Sequence, residues 1–581
     1  MAQITTEDNN YLIVAAIDFG TTYSGYAFST RSDFKKNPLQ IQANHAWNAG
    51  SRQLMSLKAP TCLLLDSDKN IVAFGYEAEN KYAELVMDEE HHDYYYFHRF
   101  KMSLYNAKSV SKELIIEDIT GKSASALDVF SLSIKALKDH LLNSIRQQLV
   151  DIQMDDIRWV LTVPAIWSDG AKQFMRRSAE MAGISSNKLR IALEPEAASI
   201  YCQHLPTEKL EGAKGFAVAT VGTKYMVVDL GGGTVDITVH EKRNDESLKE
   251  ICRASGGDYG GTSVDREFMK MIENITGTEA MEAFKRESLD SYIDLSREFE
   301  SRKRSLRVGK SGTINMTIPF TVLDDLCEEH LHKNLKSAIE SSKFHSDISI
   351  ISDKIRIKED TFLSSFQPTI ASVLKIIDEI LKREGVDGLS QIILVGGFAE
   401  CVFLQKAVQS TFLDQDVIVP TDSEMAVLKG AVIFGHQPNA ISERISKYTY
   451  GFSKRKKFDP LKHDSSHLEV VNGEKKCCRV FETIVKRNEI LPLGKKVTSV
   501  AKCKQEDNGL FTLRIYQTEK DNPKYTDEDG CSVLGTITVQ LTGTGTGDKI
   551  KVELIFGETE IRVKIKETTT HKKCEETIEM I

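Results

Sequence analysis

No stretch of the chain is apolar for long enough to cross a bilayer, and its start, MAQITTEDNN, has no apolar core behind a basic flank. Neither a membrane span nor a secretory leader is expected. Excess positive charge is missing too: 75 Lys and Arg stand against 84 Asp and Glu, a formal net charge of −9. That balance argues against nucleic acid or an anionic membrane as the main partner. The ten cysteines include no C-x-x-C pair and one adjacent pair, Cys477-Cys478. A disulfide framework or zinc site is thereby disfavoured, and free thiols in a reducing, cytoplasmic compartment are expected. The cluster Glu89-Glu90-His91-His92-Asp93 with His98 lacks the H-E-x-x-H spacing, so no metal is expected there. One basic run, Lys454-Arg455-Lys456-Lys457, has the composition of a nuclear-entry signal but reads first as a solvated loop.

What is present is length and pattern. A chain of 581 residues, 41% hydrophobic and 27% charged, has material for more than one folded unit. Up to about Gly435, Val/Ile-rich runs (158–163, 225–229, 391–395) alternate with helical stretches (126–149, 171–182), which reads as α/β. A segment dense in Arg, Lys and Glu, 293–306, reads as a surface helix. Past His436-Gln437-Pro438-Asn439 the pattern switches to period-two alternation, as in Ile550-Lys-Val552-Glu-Leu554. Turns at Gly543-Thr-Gly545-Thr-Gly547 and Gly557-Glu558 separate the runs, so an antiparallel β domain is expected. The division is an α/β unit over 1–436, a linker over 437–449 and a β-sandwich over 450–581.

Within the α/β unit one pattern occurs twice. Ala16-Ile17-Asp18-Phe19-Gly20-Thr21-Thr22 and Val228-Asp229-Leu230-Gly231-Gly232-Gly233-Thr234 each run from apolar strand to Asp, one apolar residue, glycine and threonine. A second β-prone run follows each, so both read as hairpins. Glycine lets backbone amides approach an anion, and successive N–H groups form a nest for phosphate. A carboxylate repels phosphate directly but can face it across a hydrated Mg²⁺, which needs few protein ligands. Asp18 and Asp229 are therefore placed on either side of a metal–phosphate unit, through water. Neither copy fits G-x-x-x-x-G-K-[ST] or runs directly into a helix, so a helix dipole is not the mechanism. The strand ending in Val395-Gly396-Gly397 and the carboxylates of Leu193-Glu194-Pro195-Glu196 add to a nucleotide clamped between two halves.

With FGY at 74–76 and VGGFAE at 395–400, these motifs resemble the actin/hexokinase/heat-shock ATPases. Within that superfamily the chain is similar to an atypical branch of the seventy-kilodalton heat-shock proteins, over nearly its whole length. The resemblance implies an actin-like ATPase domain of two ribonuclease-H-like lobes, one formed by about 1–200 plus 420–436 and the other by about 201–419. It implies that Gly20, Thr21, Thr22 and Tyr23 hold ATP phosphates, with Asp18 on the magnesium shell. From the second lobe, Asp229 serves the metal while Gly231, Gly232, Gly233 and Thr234 hold the γ-phosphate. Glu194 resembles the glutamate that positions metal and attacking water; with Asp229 and Thr234 it makes the implied catalytic set. Glu300, Lys303 and Arg304 resemble the helix that contacts adenosine, and Gly396 and Gly397 the glycines beside the nucleoside. Pro164 resembles a proline that relays nucleotide state, and Asp169 sits where the family docks its J-domain co-chaperone.

The chain departs from the family in four places. The family lysine in a Gly-x-Ala-Ala-Lys-like segment aligns with Glu79 of Gly75-Tyr76-Glu77-Ala78-Glu79, with Lys81 nearby. Phe398-Ala399-Glu400 replaces Ser-Thr-Arg, which removes a cation that stacks on the base. An apolar linker is not evident between His436 and Tyr448, and no helical lid follows the sandwich. The expected function is nucleotide-gated, chaperone-like binding of protein or peptide clients with slow or absent ATP hydrolysis, ATP and Mg²⁺ being the cofactors. A J-domain partner and a nucleotide-exchange factor belong to the same reading. The alternatives are a nucleotide-gated adaptor without turnover and, less favoured, a small-metabolite kinase.

Overall fold

The computed structural model of the protein describes residues 10–44, 47, 57–107, 110–149, 152–212, 220–306, 312–502, 510–540, 549–567 and 573–577. The expected turn at 543–547 and most of MAQITTEDNN lie outside them.

Strand β1 (Ile13–Phe19) is buried at every position, as a strand covered on both faces must be. It forms an antiparallel hairpin with β2 (Tyr23–Thr30), Asp18 opposite Gly25. On its other edge it pairs in parallel with β3 (Ile157–Val163), and β3 pairs in parallel with β4 (Leu189–Leu193). From β4 the chain enters α1 (Glu194–His204), with Pro195 in the first turn, where its missing amide costs no helical hydrogen bond.

The same arrangement returns in the second half. Strands β5 (Lys224–Leu230), β6 (Val235–Lys242) and β7 (Leu248–Gly257) run antiparallel, with Asp229 opposite Asp236. Helices α2 (Gly261–Thr276) and α3 (Leu289–Ser305) follow. β8 (Gln391–Val395) then pairs in parallel with β5, and β9 (Asp416–Pro420) with β8. The pattern of hairpin plus two parallel strands is thus present in both sheets. Helix α4 (Ala426–His436) returns to the first half, against α1 and β1.

Side-chain alternation along these strands sorts the core into layers. Ile13, Ala15 and Ile17 face outward with Trp159, Phe130 and Phe174. Val14 and Ala16 face inward, into a layer that also holds Tyr225, Val227 and Ile393 of the second sheet, with α1 and α4 between the two sheets. The outer face of the second sheet, Met226 and Val228, packs on Phe268 and Phe299. Helices α1 and α4 cross so closely that a Cβ on Gly430 would lie 1.7 Å from the Ala197 carbonyl oxygen. Only glycine fits that crossing.

The C-terminal residues form two antiparallel sheets. In order, one holds Leu468–Val471, Glu474–Val485, Thr449–Lys457, Leu510–Thr518 and Cys531–Gln540. The other holds Lys495–Lys502, Lys549–Phe556, Arg562–Glu567 and Lys573–Thr577. Phe452, Ile515 and Ile537 of the first share one apolar cluster with Val552, Leu554 and Val563 of the second.

Two expectations are corrected. The segment placed in a linker contains strand β10 (Ile441–Ile445), which pairs in parallel with β7 on one edge and antiparallel with Ile490–Pro492 on the other. Ile490–Pro492, read as part of the C-terminal domain, therefore completes the second α/β sheet, because β7 offers a free edge that β10 and it extend. The Lys454–Lys457 run lies at the exposed end of the strand Thr449–Lys457 and not in a loop; its cross-strand partners, including Glu482, hold it extended.

Candidate functional site

The two Asp-bearing hairpins meet across a cleft of about 140 Å³. The residues assigned from sequence to phosphate, magnesium, water or nucleoside line it: Asp18, Gly20, Thr21, Thr22, Tyr23, Glu194, Asp229, Gly231, Gly232, Gly233, Thr234, Glu300, Lys303, Arg304, Gly396 and Gly397. The topology explains the convergence. β1 and β5 are central strands of matching sheets, and α1 follows a strand parallel to β1, so their ends open on one crevice.

Both turns are anchored from behind through their carbonyls. Thr61 donates its amide to Thr22 O at 2.8 Å and its hydroxyl to Gly20 O at 2.8 Å. In the second turn, Gly231, Gly232 and Gly233 accept from the amides of Gly261, Thr262 and Gly260 at 3.1, 2.8 and 3.1 Å. In a trans peptide the N–H points opposite to the C=O. Holding the carbonyls away turns the amides of Thr21, Gly232, Gly233 and Thr234 the other way, which is the geometry of an anion nest. The turns also interleave: a Cβ on Gly232 would fall 2.1 Å from Thr22 Oγ1, and one on Gly233 2.5 Å from Thr21 Oγ1.

Acidic side chains crowd the floor. Asp18 accepts from Lys58 Nζ at 2.8 Å and from Thr162 Oγ1 at 2.6 Å. Burial opposes its charge, but the Lys58 ammonium and these bonds prevail, holding the carboxyl below its ordinary pKa. Glu194 accepts from Lys101 Nζ at 2.7 Å, and burial, which Lys101 only partly offsets, raises its pKa. Asp229 is raised well above the carboxylate range by burial and by Glu194, Asp236 and Asp18. Asp236, in register with Asp229, is pushed up to about 7 by burial and Glu194. A divalent cation among these carboxylates offsets their mutual repulsion, so the donor set fits one. Among the described residues no group of three or more His, Cys, Asp or Glu is arranged to hold a metal by itself, the His91-His92 cluster included.

The far end of the cleft is mixed. Lys303 pairs with Asp265 at 2.5 Å and Glu300 at 2.6 Å, and Arg304 lies over the Tyr23 ring, 5.3 Å from its centroid. Phe366, Phe398, Val402 and Phe403 supply apolar wall. Gly396 has φ of +91°, and a Cβ there would meet Asp229 Oδ1 at 2.6 Å, so the wall approaches the acids only as glycine.

The residues that sequence reasoning missed are the cations Lys58 and Lys101, together with Gly261, Thr262 and Glu424. Conversely, Glu79 and Lys81 are absent from the lining. Glu79 lies 3.8 Å from Arg297 of α3, and Lys81 pairs with Glu77 at 2.8 Å on the helix surface. Pro164 precedes amides of Ala165 and Ile166 that both donate to Asp236, and Lys447 donates to the Ile166 carbonyl. Asp169 accepts from Tyr450 Oη of the C-terminal unit at 2.6 Å and stays partly exposed.

An α/β chain whose matching sheets close on two glycine turns and facing aspartates falls in a defined class. The Hsp70 protein family matches residues 97–580, and the chain belongs to that family. It is similar to heat shock 70 kDa protein 12B of Homo sapiens, 32% identical over 98% of this chain and 91% of that protein. It is similar also to heat shock 70 kDa protein 12A of Mus musculus, 33% identical over 100% of this chain and 93% of that one. A more distant relative is the chaperone protein HscA of Buchnera aphidicola, 25% identical over 85% and 80%.

Proposed function

We propose that the chain is an ATP-binding member of the Hsp70 family whose nucleotide state gates binding of protein or peptide clients, in the manner of a chaperone. The carrying observation is the convergence of the two Asp–Gly turns on one cleft. In this reading Gly20 to Tyr23 and Gly231 to Thr234 hold phosphates through backbone amides, and Asp18 and Asp229 hold Mg²⁺ through its water shell. Mg²⁺ there neutralises phosphate charge and orients the terminal group. Glu194 orients water, Glu300, Lys303 and Arg304 face the nucleoside, and Gly396 and Gly397 let it lie flat.

The paired C-terminal sheets act as a β-sandwich that takes an extended peptide by main-chain hydrogen bonds and a side-chain pocket. A J-domain co-chaperone and an exchange factor are the partners implied, and the cytoplasm is the implied compartment. Among the described residues no helix is long and apolar enough to cross a membrane.

Turnover is slow in this reading. Glu194 is engaged by Lys101, and the helix slot that carries the family lysine holds Glu79, turned toward Arg297. Calorimetric titration with Mg²⁺·ATP combined with single-turnover hydrolysis tests the proposal. Binding with slow phosphate release that peptide or a J-domain protein accelerates supports a chaperone. Binding with no turnover under any stimulus supports the adaptor, a reading favoured by the Lys101–Glu194 pair. No binding at millimolar nucleotide removes both.

A further inference from the structure

The segment Arg99-Phe100-Lys101-Met102 enters from the first half of the α/β unit and reaches the second. Arg99 pairs with Asp265 of α2 at 2.8 Å, and Met102 Sδ stands 2.5 Å from where a Cβ on Gly233 would be. Between these two anchors Lys101 is buried, 5.2 Å from the Trp167 ring centroid, with Nζ 2.7 Å from Glu194. Arg99 carries a φ of +54°, a conformation that non-glycine residues adopt only where surrounding contacts impose it, and such strain gathers at functional sites.

Among the described residues the cleft holds four cations, and three are committed elsewhere. Lys303 neutralises Asp265 and Glu300. Arg304 lies beside Glu424 and Tyr23. Lys58 bonds Asp18 and the Glu424 carbonyl. Lys101 lines the same cleft as the Gly231–Thr234 turn, its neighbour Met102 lies against Gly233, and its ammonium has three donors, so it can keep Glu194 while donating to a further anion. A phosphate cradled by that turn is within its field, and a point charge on a flexible stem suits a phosphate oxygen.

We propose that Lys101, delivered by the strained Arg99–Met102 clasp, is the cation that recognises the terminal phosphate and so distinguishes nucleoside triphosphate from diphosphate in this chain. The inference rests on nucleotide binding as proposed above. The clasp spans both halves through Arg99–Asp265, so the cation is in place only when they are closed.

The test is calorimetric titration of the full chain and of Lys101→Met, Lys101→Arg and Arg99→Ala with Mg²⁺·ATP and Mg²⁺·ADP, with Lys81→Met as a surface control. Loss of one charge-assisted contact predicts Mg²⁺·ATP affinity falling about tenfold or more in Lys101→Met while Mg²⁺·ADP affinity stays within about twofold. Lys101→Arg keeps part of the preference. Arg99→Ala reduces it with Lys101 intact, and Lys81→Met changes neither affinity. Melting without nucleotide checks that each variant folds. If Lys101→Met keeps the wild-type ratio of the two affinities, the proposal is overturned while the function stands. If the unaltered chain binds neither nucleotide, the function fails first.

Discussion

Asp229 is the residue on which the cleft's electrostatics turn. Three other carboxylates face it, and burial adds to their effect, so its acid form is favoured in the bare protein. Replacing Asp229 by Asn supplies a neutral side chain without the cost of protonating the acid on folding. The variant is expected to melt at a higher temperature than the parent without ligand, and to lose about tenfold or more in Mg²⁺·ATP affinity. Thermal melts with and without Mg²⁺·ATP read both effects together; a variant that neither gains stability nor loses affinity would show that the acids do not act as a unit. Asp18, Asp229 and the glycines were legible in the sequence because their turn is local and is written twice. Lys58 and Lys101 were not, because each reaches its carboxylate across 40 and 93 residues, with no local spacing to mark it. The direction of Glu79 was not legible either, because it follows from Arg297 on a helix 218 residues away.

Among elements, β10 is the least expected and the most consequential. Ile441-Ser-Glu-Arg-Ile445 has too few apolar residues to announce a strand, and it becomes one because β7 and Ile490–Pro492 offer edges on both sides. Arg444, where an apolar linker was sought, forms a buried pair with Glu196 of α1, two bonds at 2.8 Å, and donates a third to the Gly557 carbonyl at 2.5 Å. Nearby, Ile445 donates its amide to Glu250 at 2.7 Å. Removing one partner of such a pair leaves the other charged and buried. Arg444→Ala is expected to cost about 3–5 kcal/mol, and adding Glu196→Gln should recover part of it. Denaturant unfolding of both variants checks this. Additive losses would mean that the pair is not coupled.

Across the whole molecule, stability depends on groups that fold neutral. His240 is fully buried, with neither ring nitrogen hydrogen-bonded among the described residues, and burial and Arg444 lower its pKa to about 4. His436, stacked on Phe34, is lowered to about 4 by burial and Arg158. Both sit below the unfolded value of 6.5, so between these pH values the unfolded chain binds more protons. Their contribution is full above about pH 6.5 and is lost progressively toward pH 4. Asp236 and Asp229, whose pKa values are raised, act in the opposite sense over the same range, so the test is a difference: the melting temperature of the parent relative to His436→Asn should fall between pH 7.5 and 5, and a difference that does not change with pH counts against His436. The α/β architecture was legible at this scale from alternating strands and helices. The seating of the C-terminal unit was not, since Arg176–Glu560, Tyr450–Asp169 and Thr559–Ile191 join residues hundreds of positions apart.

The strand β10 belongs to one hydrogen-bonded sheet with eight strands, which the two structural units share. In mechanical terms it is a seam. Tension that separates the C-terminal unit from the α/β unit loads β10 along both edges at once. The parallel edge with β7 is short and its register is interrupted between Leu248 and Lys249. The antiparallel edge with Ile490–Pro492 runs through Glu443, Arg444 and Ile445. Under a pulling force the first hydrogen-bonded edge expected to part is the one with β7, β10 staying with Ile490–Pro492.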